Sequence, residues 1–180
     1  MKTKLKEIKL GKIILREIEE NDYLALYECG KNKLMCETLN WGPFNSLIEA
    51  KYVINEIYLK RPIWGLPIGY GVIYDDKLIG VCDYHSYDDS NNSIEIGYFL
   101  NPDYWNMGIM TKVVKKAIEV AFDYLECDKV IIGSDIYNER SLKLINKLNL
   151  KYEYELINNY KDKDHLCKYY SIYKYEYEEN

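Results

Sequence analysis

The 180-residue sequence contains no run of apolar residues near the roughly 20 that a bilayer-spanning helix needs, so no membrane anchor or membrane partner is expected. It also lacks an excess of positive charge. Its 24 basic and 29 acidic residues leave a net charge of -5, which argues against a phosphate-neutralising surface and a nucleic-acid partner. The five cysteines, Cys29, Cys36, Cys82, Cys127 and Cys167, are odd in number and show no CxxC spacing. Neither a metal site nor a disulfide framework is expected from that pattern, and the reducing cytoplasm is the expected compartment. The basic start, Met1 to Lys6, leads into Gly11 and a charged segment instead of an apolar stretch, and does not read as a signal peptide. Neither G-x-x-x-x-G-K-S/T nor G-x-G-x-x-G occurs, so a nucleoside-triphosphate loop and a dinucleotide fingerprint are both missing.

What is present is the material for one core. Apolar residues make up 48% of the chain and charged residues 29%, a balance that folds, and the length suits one domain spanning residues 1–180. A first strand is expected over 12–18, followed by a helix carrying Tyr23, Leu26 and Tyr27 and ending near Gly30. Trp41-Gly42-Pro43 marks a turn, and Ser46 with Glu49 forms the capping box of a second helix that stops before Pro62. Strands over 69–74, 77–87 and 93–100 follow as an antiparallel meander. A helix from Ile109 to about Leu125 carries a broad apolar face, and 129–133 reads as a strand buried on both sides. An amphipathic helix over 138–148 precedes two late strands, 151–157 and 168–177, the second with Tyr169, Tyr173, Tyr175 and Tyr177 on one side. The order predicts a mixed α/β sheet with helices on both faces.

The stretch that carries chemistry runs from Glu95 to Thr111. A strand passes through Pro102 and a glycine directly into a helix start, where unpaired first-turn N–H groups converge and hold anions without a lysine. Gly97-Tyr98-Phe99-Leu100, followed by Tyr104-Trp105-Asn106-Met107-Gly108-Ile109-Met110-Thr111, resembles the acetyl-CoA motif of GNAT acetyltransferases. The likeness is nearest to the branch of bacterial ribosomal-protein N-terminal acetyltransferases. Asn138-Glu139-Arg140-Ser141 is similar to that branch's N-x-x-S, and Leu15-Arg16 and Trp41-Gly42-Pro43 extend the likeness over essentially the whole chain. Asn106 stands where the branch usually has glycine, Asn149-Leu150 replaces a common Gly-Phe, and Ile145 lies where many members of the superfamily carry a tyrosine acid.

The resemblance implies a GNAT fold with a mostly antiparallel seven-stranded central sheet, and acetyl-CoA as cosubstrate with no metal. It implies that Asn106, Met107, Gly108, Ile109, Met110 and Thr111 cradle the pyrophosphate and that the main chain of Tyr98, Phe99 and Leu100 pairs with the pantetheine arm. Glu95 is then the implied general base, and Ser141 the donor to the departing sulfur, with Asn138 contacting the cofactor. Each assignment has a plainer reading beside it: a charged strand residue for Glu95 and a helix N-cap for Asn138. If the hairpin between the strands is symmetric about Ser90, His85 opposes Glu95 directly. Cys82, three residues from His85, faces the other side of that strand and forms no dyad with it. Tyr23, Trp41 and Phe44 are expected to wall the acceptor side, with ordinary core packing as the alternative.

The function so implied is acetyl transfer to a primary amine, with a protein N-terminal α-amine as the acceptor. A polyamine or aminoglycoside acceptor is the rival within the same chemistry, and a non-catalytic acyl-CoA-binding module is the rival outside it. Tyrosines on the last strand and the habit of the family imply a homodimer.

Overall fold

The computed structural model describes residues 1–178. Its strands are β1 (Ile8–Leu10), β2 (Ile13–Glu17), β3 (Tyr70–Tyr74), β4 (Lys77–Asp88), β5 (Ser93–Leu100), β6 (Lys129–Asp135), β7 (Lys151–Tyr160) and β8 (Lys163–Tyr173). The helices are α1 (Tyr23–Gly30), α2 (Lys33–Cys36), α3 (Leu47–Tyr52), α4 (Ile109–Asp123), α5 (Glu139–Lys147) and α6 (Lys174–Glu178). The strands form one sheet of order β1-β2-β3-β4-β5-β6-β8-β7, antiparallel except where β5 runs parallel to β6. This is a mixed α/β GNAT fold with eight strands among the described residues, one more than expected.

The additional strand is β1, whose three residues pair with β2 across a turn at Gly11 and Lys12. Three residues carry too little alternation to be read as a strand. Two further boundaries move at the C-terminus. The turn at Lys161 and Asp162, both with positive φ, joins β7 and β8 into one long hairpin, so β7 ends later and β8 begins earlier than their apolar alternation shows. Lys174–Glu178 is a helix instead of strand, and the Tyr177 ring packs 5.5 Å from that of Phe122 on α4. Tertiary contact with α4 overrides the tyrosine alternation there.

The pleat sends alternate residues of β5 to opposite layers. Ile94, Ile96 and Leu100 join Val113, Val114, Ala117 and Ala121 of α4 in the larger core. Phe99 faces the other way, with Val81 of β4, into a smaller core closed by Leu26 of α1, Ala50 of α3 and Ile54. The second helix starts as its sequence demands, with Ser46 Oγ accepting from the Glu49 N–H and Glu49 accepting from the Asn45 N–H. It then widens into a π-helical turn over Val53–Tyr58, where the Leu59 N–H bonds the Ile54 carbonyl. That turn and the short 3-10 helix Arg61–Trp64 lay Tyr58 and Arg61, both buried, against the sheet.

Candidate active site

β5 and β6 pair over only three residues, Ser93 with Lys129, Ile94 with Val130 and Glu95 with Ile131. Past that point β5 stays with β4 to Leu100 and β6 stays with β8 to Asp135, so the two strands part. The gap exposes strand edges whose main-chain groups have no ladder partner across it, a natural seat for an amide-bearing chain. It opens into a cleft of about 720 Å³ lined by Tyr98 to Leu100, Tyr104 to Asn106, Gly108 to Thr111 and Tyr137 to Ser141.

At one end of the cleft lies the start of α4. Gly108 caps it in the left-handed region with φ 72°, and nothing lies within 4 Å of the place a side chain would take. Asn106 also has positive φ, 61°, a conformation that asparagine tolerates better than most residues. Ile109 and Met110 bury their side chains in the core, which leaves the first-turn N–H groups as the polar face of this segment. Met107 is exposed. Across the cleft, α5 starts on Asn138, whose side chain accepts from the Ser141 N–H at 3.1 Å. α5 presents Arg140, Lys143 and Lys147 to the cleft, a run of cations facing the α4 N-terminus. The Arg140 guanidinium sits 3.9 Å from the centre of the Trp105 ring, whose N–H donates to the Leu100 carbonyl at 2.7 Å.

Inside the cleft the Tyr98 hydroxyl and Ser141 Oγ are 2.8 Å apart. Burial pushes the Tyr98 phenol up, and the bond to Ser141 only partly offsets this, so the group remains a protonated donor at neutral pH. Ile145 is fully buried, and the hydroxyl that α5 brings to the cleft is that of Ser141, with Tyr98 supplied from β5. From the sequence, only the main chain of Tyr98 has an expected role. No spacing rule relates two residues 43 positions apart.

On the opposite face of β5 lies Glu95. The register pairs it with His85, as expected, but not through a turn symmetric about Ser90: the ladder next to the turn pairs Asp88 with Ser93, and a bulge between His85 and Asp88 shifts it by one. His85 Nε2 is 3.5 Å from Glu95 Oε1, and its Nδ1 is 3.0 Å from Asp83 Oδ1. The Arg61 guanidinium lies 3.2 Å from the same Asp83 oxygen, and the Tyr58 hydroxyl donates to the other at 3.3 Å. Burial pushes Asp83 up, but Arg61 and then His85 outweigh it and hold the carboxyl down at about 2. Burial likewise disfavours the His85 cation, yet the bonds to Asp83 and Glu95 prevail and raise it to about 10. The result is a row of alternating charges, Arg61, Asp83, His85, Glu95. Asp83 was legible in principle, two residues before His85 on the same strand face; Arg61 and Tyr58 arrive from a distant helix and carried no local signal. Cys82 lies in the larger core, away from His85.

Two glycines make room beside Glu95. A Cβ on Gly97 would lie 2.8 Å from the His85 ring, and one on Gly133 would lie 2.7 Å from Tyr169 and 3.2 Å from Glu95 itself. His85 and Tyr169 therefore flank the carboxylate closely. Trp41 stacks on Phe44 at 5.1 Å and meets Phe99 edge-on at 5.0 Å. Phe44 is buried in the smaller core, while Trp41 and Tyr23 are partly buried against it. The structure thus brings Trp41 and Phe44 together behind Phe99, and sets Tyr23 apart on α1, with the Lys51 ammonium 5.5 Å from its ring.

A family profile for the acetyltransferase (GNAT) domain matches residues 12–151. The chain belongs to the GNAT acetyltransferase family. Its relatives include the Uncharacterized N-acetyltransferase p20 of Bacillus licheniformis, 28% identical over 92% of this chain and 95% of that protein. The ribosomal-protein-serine acetyltransferase of Escherichia coli strain K12 is 25% identical over 71% of this chain and 72% of its own length. Among solved structures, the spermidine N-acetyltransferase of Vibrio cholerae in complex with CoA and spermine superposes with a TM-score of 0.78 at 18% identity, covering 92% of this chain and 98% of that one. GNAT enzymes draw their acetyl group from acetyl-CoA, and this chain is an acetyl-CoA-dependent N-acetyltransferase. Among the described residues no group of three or more His, Cys, Asp and Glu side chains is placed to hold a metal ion, and no helix is long and apolar enough to cross a membrane.

Proposed function

We propose that the acceptor is a protein N-terminal α-amine, that Glu95 receives its proton, and that Ser141, bonded to Tyr98, donates to the departing sulfur. The carrying observation is the position of the Glu95 carboxylate, partly open to solvent where β5 and β6 part. Acetyl transfer requires a neutral amine. An α-amino group with a pKa near 8 yields far more of that form at pH 7 than an alkyl amine with one near 10.4. In this reading the main-chain donors at the start of α4, with Asn106 to Thr111 around them, hold the pyrophosphate, and Asn138 caps the helix that carries Ser141 to the thioester.

The charges of the acceptor face favour an α-amine over a polyamine. A polycation needs several carboxylates spaced along its length. Here Asp83 is taken by Arg61 and His85, Asp135 by Tyr160 and His165, and Glu153 by Lys129 and Ser171. Among the described residues Glu95 meets only His85 as a charged partner, at 3.5 Å, and stays partly open to solvent, so it is the carboxylate proposed to receive an ammonium. The relatives named for ribosomal-protein-serine acetylation support the same direction, while the spermidine enzyme among the solved structures keeps the rival in view.

The test is free-thiol release from acetyl-CoA in the presence of a peptide with an N-terminal serine or alanine, the same peptide blocked at its terminus, spermidine and an aminoglycoside. The expected outcome is a kcat/KM for the free peptide at least tenfold above every other acceptor. Preference for spermidine transfers the assignment to small cations, and coenzyme A binding without any turnover establishes a non-catalytic binding module.

A further inference from the structure

We propose that Asp83 is a positioning residue for the transfer reaction: anchored by Arg61 and Tyr58, it holds His85 against Glu95 and so fixes the carboxylate that receives the amine proton. The inference rests on the reading of Glu95 as the base, and adds to it the residues that keep Glu95 in place.

The geometry has three parts. Asp83 cannot shift freely, because both of its oxygens are engaged: one by Arg61 and His85, the other by the Tyr58 hydroxyl. Arg61 is itself pinned, donating to the Tyr84 carbonyl at 3.2 Å and lying over the Tyr58 ring at 4.7 Å. The π-helical turn and the 3-10 turn after it deliver these two side chains to the sheet, an irregularity of the kind that recurs at functional sites. Second, the bond to Asp83 Oδ1 uses Nδ1 of His85 and directs Nε2 toward Glu95. Third, Gly97 leaves the space that the His85 ring occupies, since a Cβ there would lie 2.8 Å from it.

The other titratable groups facing Glu95 are Tyr154 of β7 and Cys167 and Tyr169 of β8, all of which carry a field from Glu95 and remain neutral near pH 7. His85 is therefore the cation that the carboxylate meets. With Asp83 present, His85 keeps its proton across the neutral range, its pKa being raised to about 10. Without that carboxylate only Glu95 is left to oppose the effect of burial, so the His85 pKa falls and its proton is lost at lower pH.

The experiment compares kcat from pH 6 to pH 9 for the wild-type enzyme and Asp83→Asn on the N-terminal peptide, with Glu95→Gln measured beside them at pH 7. The expected result is a ratio of wild-type to D83N rate that grows at least tenfold between pH 6 and pH 9, with coenzyme A affinity unchanged. A ratio that is flat with pH is what a purely structural role gives, and overturns the proposal. If E95Q retains its rate the reading of Glu95 is what fails; if E95Q is slow and the ratio is flat, only the role of Asp83 fails. Should D83N not fold, His85→Gln, whose side chain is about one-third exposed, carries the test. A tenfold or larger fall in kcat at an unchanged acetyl-CoA KM sustains the positioning chain, and any smaller fall overturns it.

Discussion

On one face of β5 the polar pair in contact with the strand is two hydroxyls, Tyr98 and Ser141; on the other lies the ionic row from Arg61 to Glu95. The same strand carries both, and the pleat alone separates them. The hydroxyl pair is neutral and self-satisfied, so it sits in an apolar setting at modest cost. The ionic row needs a partner for every charge, since removing one leaves another buried and unpaired. In the proposed reaction, proton uptake and proton delivery occupy opposite sides of one strand, and the side assigned to uptake is the one held by more of the rest of the fold.

The largest expected effect lies on the ionic face. Glu95→Gln should lower kcat by about 10² to 10⁴, the usual contribution of a general base, while calorimetry finds coenzyme A affinity unaltered. A rate within threefold of wild type would remove the functional distinction between the two faces. Ser141→Ala should have a smaller effect, about tenfold in kcat, because a thiolate with a pKa near 8.5 departs with little help from an acid. A loss on Ser141→Ala as large as that of Glu95→Gln would reverse the ranking of the two faces.

Stability against pH sharpens the comparison further. The His85 pKa is raised from 6.5 to about 10, so its contribution is complete below pH 6.5 and is lost as pH rises toward 10. Asp83 is lowered from 3.8 to about 2, so its contribution is present above pH 3.8 and is lost as pH falls through 2. Melting curves should therefore show a fall in Tm between pH 6.5 and 10 that is shallower in His85→Gln; an identical fall in both proteins would place the charge of His85 outside the stabilising network. The smallest effect belongs to the cleft rim, where Lys143→Ala with Lys147→Ala should weaken coenzyme A binding about threefold at low salt and hardly at all in high salt, as exposed charges do. A loss that salt does not alter would mean that these side chains act by packing.

Much of the scaffold was legible. Apolar alternation located β3, β4 and β5, helical periodicity located α4, and Ser46 and Asn138 marked helix starts that the hydrogen bonds bear out. These are local rules, acting within one turn or one pleat. The pairing of His85 with Glu95 was expected from the hairpin, but the bulge decides it: the ladder next to the turn pairs Asp88 with Ser93, and only the one-residue shift between His85 and Asp88 brings His85 opposite Glu95. The Asn106 and Gly108 turn could also be read, because so few residues tolerate positive φ. Strand β1 and helix α6 could not be, since a three-residue strand and a five-residue helix take their form from what they pack against.

The sequence by itself determined which residues lie on which face of the central strands, where α3, α4 and α5 begin, and that a left-handed glycine turn leads from β5 into α4. Only the tertiary structure decided that β5 and β6 part after Glu95 and Ile131, that Tyr98 meets Ser141, and that Arg61 and Tyr58 close on Asp83. The division follows the range of the forces involved. Backbone sterics, capping and pleating act between near neighbours in the chain, whereas strand divergence and charge pairing depend on side chains that become neighbours only once the sheet and its covering helices have assembled.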